Sequence, residues 1–141
     1  MQCLEEFVFD NWKSLPLEQQ NNIIIKIANT VRKAHSFNVS IRDLYIKHIF
    51  ITRDDDKINL SFIDLENMWQ NVTNPFQKAR DLGRLYFSMD DEYFGKDSKE
   101  LLIDTYLADI PSLRKGLMKY LIISRAKRLS KRLLEKLKRK A

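Results

Sequence analysis

The apolar positions of this chain change period twice. Leu4, Phe7, Val8 and Trp12 fall on one face of a short helix within residues 1–15, a spacing of three to four and then four. Ser14 followed by Pro16 reads as a helix start, with proline in the first turn where its missing N–H costs nothing. Ile24, Ile27, Ala28, Val31 and His35 then make one stripe, widened by Ile23 and Ala34. That pattern predicts a core helix from Leu17 to His35, broken at Phe37-Asn38. Beyond Val39 the residues become β-prone, with Tyr45, Ile46, Ile49, Phe50 and Ile51. A polar turn at residues 53–57 follows. Ile58, Leu60 and Phe62 alternate with Asn59 and Ser61, so a β-hairpin is expected, its second strand ending at Ile63-Asp64. A polar stretch from Asn67 to Pro75 leads to a helix from Gln77 to Met89. An acidic loop from Asp90 through Lys96 and a helix from Ser98 to Ala108 come next, and a last helix runs from Ser112 towards the end. Helix, hairpin, then helices is a mostly α (α+β) arrangement with a small sheet.

Charge changes this picture more than composition does. With 141 residues, 44% of them hydrophobic, the chain is long enough for one domain or one lobe of a larger one. Three glycines and three prolines argue against a turn-rich β fold. The net charge of +6 is uneven. Residues 112–141 hold 12 of the 25 Lys/Arg and one of the 19 acidic groups, a net +11, which leaves 13 and 18, a net −5, in residues 1–111. The division is therefore a mildly acidic body, 1–111, and a basic amphipathic helix, 112–141.

Several classes drop out. Cys3 is the sole cysteine, so neither a disulfide framework nor a cysteine zinc site is available. The N-terminus has no apolar leader core, which points to a cytoplasmic chain. Runs such as Ile23–Ile25 and Leu121–Ile123 are far too short to span a bilayer. No 20-to-50-residue repeat, Walker-type loop or dinucleotide fingerprint occurs.

Three carboxylates carry the candidate chemistry. Asp43 lies in Ile41-Arg42-Asp43-Leu44-Tyr45-Ile46-Lys47-His48, after the long helix and before the hairpin. Asp64 ends the hairpin. Asp81 sits at the opening of the next helix in Lys78-Ala79-Arg80-Asp81-Leu82. Singly, each reads as a turn, cap or helix-dipole residue. In this order they resemble the catalytic loop, metal motif and following helix of the protein-kinase-like fold. More closely, the chain resembles the lipopolysaccharide core kinases, the Kdo and heptose kinase family. That family carries H-R-D-x-Y-x-x-H, I-D-[LF] and K-D-L-x-x-L-[YF]-F-S. Arg42 to His48, Ile63-Asp64-Leu65, and Arg80 to Ser88 stand in those places, and the likeness covers residues 4–108.

The resemblance implies an ATP- and Mg²⁺-dependent phosphotransferase. Asp43 would take the proton of a sugar hydroxyl, and Asp64 would hold the metal, with His48 on the metal or phosphate side. Arg42 and Asp81 would support the catalytic loop, and Lys47 would reach a phosphate. About a dozen residues separate Asp64 from the Gln77 helix, too few for a long activation loop. That favours a small-molecule or glycolipid acceptor over a protein substrate, and the resemblance implies lipid A–Kdo or a heptose of the core. Ile41 replaces the family histidine before Arg-Asp, and Glu66 stands where protein kinases have glycine.

No segment before Asp43 suits a glycine-rich loop and strand lysine, so the chain is expected to be a C-terminal lobe without its N-terminal lobe. Retention of Asp43, Asp64 and Asp81 favours a fragment or split protein, with a separate N-lobe polypeptide as partner, over an inactive pseudokinase-like binding module. The isolated chain is expected to bind ATP weakly and turn over little.

Leu113, Leu117, Leu121, Leu129, Leu133 and Leu137 recur along the basic helix. They suggest either a helix packed on the body by its leucines or a membrane-surface helix bearing Arg125, Lys127, Arg128, Lys131 and Arg132. The second reading implies an anionic membrane surface and a peripheral place on the inner membrane. Nucleic acid is a weaker fit, because Tyr120 is the tail's one aromatic residue.

Overall fold

Asn38 ends the long helix in a left-handed conformation, φ 60°, which asparagine tolerates better than most residues. Its N–H bonds the His35 carbonyl. That helix, α2 (Leu17–Ser36), starts behind Pro16 and buries Ile23, Ile24, Ile27, Ala28, Val31 and His35, the stripe that the spacing predicts. The computed structural model describes residues 2–55, 57–62 and 68–140. Its other elements are β1 (Gln2–Cys3), α1 (Leu4–Asn11), β2 (Ser40–Ile41), β3 (Ile49–Asp54), β4 (Lys57–Phe62), β5 (Met68–Trp69), α3 (Pro75–Ser88), α4 (Lys96–Tyr106) and α5 (Ser112–Lys140), with 3₁₀ turns at Trp12–Ser14 and Ile46–His48.

The expected hairpin forms. β3 and β4 pair antiparallel with Ile51 opposite Leu60 and Asp54 opposite Lys57. Ile49 and Ile51 point into the core, while Ile58, Leu60 and Phe62 are half-buried. β1 adds to the free edge of β3, Cys3 opposite Phe50, and so draws α1 onto the sheet. Leu4, Phe7 and Val8 are buried there. Trp12 is buried against Phe94, ring centroids 4.8 Å apart.

Three expectations about elements need correction. The stretch from Asn67 to Pro75 is not all loop: β5 pairs with β2, Ser40 opposite Trp69 and Ile41 opposite Met68. Two-residue strands leave no period to read. Tyr45 and Ile46 do not belong to a strand, because the 3₁₀ turn at 46–48 precedes β3. Lys47 and His48 therefore sit in that turn. Asp81 lies two turns inside α3, which begins at Pro75 with Asn74 capping the Phe76 N–H at 2.8 Å. It is not a helix-opening residue, and a dipole role is ruled out by its depth.

Helices α3 and α5 run in the same sense. Pro75 and Lys78 lie beside Arg114, Leu117 and Met118, and Tyr86 and Phe87 lie beside Ile123, Ala126 and Lys127. They cross closely at Gly83, where a Cβ would come within 3.0 Å of the Ile122 carbonyl oxygen. The residues of α5 buried in this contact are Met118, Ile122 and Ala126. The leucine stripe packs only in part: Leu113, Leu117, Leu133 and Leu137 are exposed, while Leu121 is half-buried against the core. From Lys131 to Lys140 every residue of α5 is exposed, because α3 ends at Ser88 and supplies nothing further to pack on.

Candidate active site

Helix α3 holds the Asp43 segment at both ends. Asp81 and Ser88 are seven residues apart, two turns on one face. The Ile41 N–H donates to Asp81 Oδ2 at 2.9 Å, and the Ile46 N–H donates to Ser88 Oγ at 2.9 Å. Ser88 in turn donates to the Leu85 carbonyl. Between these two anchors run Arg42, Asp43, Leu44 and Tyr45. Leu44 is buried and turns the segment inward, while Arg42 is exposed and Asp43 half-buried.

His48 fixes the middle of the segment. Its Nδ1 lies 2.8 Å from the Asp43 carbonyl oxygen. A carbonyl only accepts, so Nδ1 carries the hydrogen and Nε2 is the lone-pair nitrogen of the neutral ring. The Tyr45 N–H donates to the same carbonyl at 2.9 Å. The expected family histidine before Arg-Asp is Ile41 here. Its side chain is buried, and its backbone N–H supplies the polar contact instead. Arg42 stacks on Trp69, its guanidinium carbon 3.8 Å from the ring centroid, so β5 places the platform for that arginine. Lys47 is exposed, 5.9 Å from the Tyr45 ring.

Asp81 is wholly buried and is the centre of the polar core. Besides Ile41 it accepts from Ser40 Oγ at 2.9 Å and from His35 Nε2 at 2.9 Å. Gln77 Nε2 and Arg84 approach Oδ1 at 3.3 and 3.5 Å. His35 Nδ1 faces the Tyr106 hydroxyl at 2.5 Å. Since Asp81 takes the Nε2 hydrogen, Nδ1 accepts from Tyr106. A chain of donors therefore runs from Tyr106 on α4, through His35 on α2, to Asp81 on α3 and the backbone before Asp43. Sequence reading placed His35 in the α2 stripe and gave Tyr106 and Ser88 no role. The seven-residue spacing of Asp81 and Ser88 on one helix face was the available signal.

Burial, and then the negative charge of Asp81, push the Tyr106 hydroxyl above the ordinary tyrosine value near 10. The folded state thus holds this proton more tightly than the unfolded state. Its contribution is fully present below about pH 10 and is lost as pH rises beyond that. Tyr106→Phe is expected to cost about 1–2 kcal/mol at neutral pH by leaving His35 Nδ1 without its donor. It should also flatten the loss of stability above pH 10. Urea unfolding at neutral and alkaline pH checks both, and an unchanged alkaline slope would contradict the assignment.

Asp64, with the rest of residues 63–67, lies outside the described residues. Among the described residues no group of three His, Cys, Asp or Glu side chains could hold a metal ion. Of the five basic residues expected on a membrane face, Lys127, Arg128, Lys131 and Arg132 are exposed, whereas Arg125 is partly buried against α3. No helix among the described residues is long and apolar enough to cross a membrane.

A helix-held Arg-Asp segment leading into a hairpin is the scaffold expected of a kinase-like phosphotransferase, and comparison with known proteins supplies the family. Residues 1–106 match the Lipopolysaccharide kinase (Kdo/WaaP) family, and the chain belongs to it. Among solved structures it is similar to a chain described as WaaP in complex with acyl carrier protein, at 26% sequence identity and a TM-score of 0.70. The likeness covers 91% of this chain and 57% of that one, so the chain spans little more than half the length of that relative. A search of curated proteins found no match.

Proposed function

We propose that the chain is the acceptor-side lobe of a lipopolysaccharide kinase, with Asp43 as the base that takes the proton from a sugar hydroxyl. The observation that carries this reading is the double anchoring of residues 41–46 on Asp81 and Ser88. It presents the one Arg-Asp pair that matches the family loop from a backbone with little freedom, and phosphoryl transfer depends mainly on positioning and charge. His48 holds the Asp43 carbonyl, which sets the carboxylate's direction through the backbone; its Nε2 is the nitrogen left for the metal or phosphate side. Arg42, stacked on Trp69, and Asp81 are positioning residues. Lys47 is exposed on the same turn, where a phosphate is within its compass. ATP with Mg²⁺ is the donor the family implies, and Asp64 is the carboxylate proposed for the metal.

The acceptor of this reading is a hydroxyl of the inner core, on Kdo or heptose of a lipid-linked saccharide. The remaining part of the kinase, carrying the nucleotide-binding loop and lysine, is a separate polypeptide or segment that this lobe meets. Acyl carrier protein, seen with the WaaP relative, is a candidate protein partner by the same likeness.

On this reading the isolated chain transfers little phosphate. Transfer of label from γ-³²P-ATP to a lipid A–Kdo acceptor is expected to stay near background. Transfer well above background that survives Asp43→Asn would overturn the role of Asp43.

A further inference from the structure

Two faces of α3 are already occupied. One, marked by Asp81 and Ser88, holds the Asp43 segment. The other, marked by Gly83, meets α5. Two arginines fill the sector between them. At 3.6 residues per turn, Arg84 falls about 60° from Asp81 and about 40° from Ser88, and Arg80 falls about 60° from Gly83. Arg84 also touches the anchor of the segment. Its Nη1 lies 3.5 Å from Asp81 Oδ1, while Oδ2 of the same carboxylate takes the Ile41 N–H.

Helix α5 adds a third guanidinium. The stem of Arg125 lies over Gly83, between the two α3 arginines in sequence. Its Nε is buried and has no hydrogen-bond partner among the described residues. Burial, and then the guanidinium groups of Arg84, Arg80, Arg132 and Arg128, disfavour its charge. Among the described residues the one carboxylate paired with any of these arginines is Asp81, which already serves Ile41, Ser40 and His35. Like charges gathered round a buried donor without an acceptor make a site that an anion completes. Phe76 lies one turn before Arg80 and is exposed. Its ring offers apolar area to the C–H face of a sugar, for which a bare phosphate has no use.

We propose that Arg80, Arg84 and Arg125 bind an anionic substituent of the acceptor saccharide, a carboxylate or a phosphate, and so select an acidic sugar beside the hydroxyl that Asp43 activates. The proposal rests on the reading of Asp43 as the acceptor base. The planar fork of a guanidinium matches either anion. In that reading the donor's phosphates fall to Asp64 with its metal and to the nucleotide-binding loop and lysine outside this lobe, which leaves these arginines to the acceptor.

Titration of the full ¹⁵N-labelled chain, followed through its backbone amide shifts, tests the site. The probes are free Kdo, which is a sugar carboxylate, its methyl ester, which is the same sugar without the charge, and inorganic phosphate. Kdo is expected to shift the amides of residues 80–84 and of Arg125 together with those of residues 42–45. It should bind at least about tenfold more tightly than the ester. Arg80→Gln should weaken Kdo binding about tenfold. Arg125→Lys keeps the charge and the stem over Gly83 but loses the buried Nε, and should weaken binding by a similar factor. Arg80 is exposed, so that variant should fold as the wild type does, and circular dichroism checks both. Lys26→Gln with Lys33→Gln, two exposed charges on α2, should leave the affinity unchanged. An ester that binds as tightly as Kdo would overturn the proposal. So would an absence of shifts at residues 80–84, or an Arg80 variant that binds like the wild type. Inorganic phosphate that binds as tightly as Kdo, with shifts confined to the arginines, would overturn it by making a free phosphate the ligand. No phosphate transfer enters these readouts. Failure of Asp43 as the base would appear in transfer rates and leave this titration as stated.

Discussion

Asp81→Ala is expected to remove about 4 kcal/mol of stability, the scale for breaking one side of a buried charged network. A domain of this kind has about 5–15 kcal/mol in total, so the variant should be close to unfolded at mild urea concentrations. The cost comes from what is left behind. Alanine strands the Ile41 N–H, the Ser40 hydroxyl and the His35 Nε2–H in a site with no water access at Asp81 itself. Each buried donor without an acceptor costs about 1–3 kcal/mol. The carboxylate also joins β2 and α3, and through His35 both α2 and α4, so no small local shift repairs all the losses. Asp81→Asn keeps one acceptor oxygen and should lose less. Equilibrium urea unfolding measures both, and a loss under about 1 kcal/mol for the alanine variant would contradict the placing of Asp81 at the centre of the core.

Gly83→Val is expected to cost about 3 kcal/mol, the upper range for overpacking. A Cβ there would meet Arg125 Cβ at 2.6 Å, Arg125 Cγ at 2.7 Å and the Ile122 carbonyl oxygen at 3.0 Å. These are a helix backbone and the root of a side chain, so nothing flexible yields. The helices must separate, which uncovers Met118, Ile122 and Ala126. Gly116 is the natural comparison. It lies within α5 with nothing inside 4 Å of its would-be Cβ. Gly116→Ala should stabilise by about 0.5–1 kcal/mol through helix propensity alone. Thermal unfolding of the two variants should therefore move in opposite directions, and a neutral Gly83→Val would contradict the close crossing.

The elements that the sequence made legible are those with a long period. The stripe of α2 and the alternation of Ile58, Leu60 and Phe62 both formed as read, because one buried face selects one repeat. β1, β2 and β5 were not legible, being two residues each and made by pairing with distant strands. The face of α5 was left open between two readings for a physical reason: leucines at four-residue spacing look like a core stripe, yet α3 meets the helix through Gly83 and buries Met118, Ile122 and Ala126. In the candidate site, the Arg42-Asp43 segment and Asp81 were legible through their resemblance to the family motifs. The partners of Asp81 were not. His35 and Tyr106 are 71 residues apart in sequence, and both suit an ordinary apolar stripe. Only the fold brings them to one carboxylate. Asp64, the proposed metal ligand, lies outside the described residues, and its role rests on the motif.

The central claim is that this lobe supplies the acceptor-activating half of a kinase through Asp43. The direct test fuses this chain to the part of WaaP that lies outside its matched region, as one polypeptide. Phosphate transfer from ATP to a lipid A–Kdo–heptose acceptor is then measured, with folding of the fusion followed by circular dichroism. Transfer is expected in the fusion, and Asp43→Asn should lower kcat by about 10²–10⁴-fold, the usual worth of a positioned base, with the fold retained. A folded, active fusion whose rate is unchanged by Asp43→Asn would contradict the account.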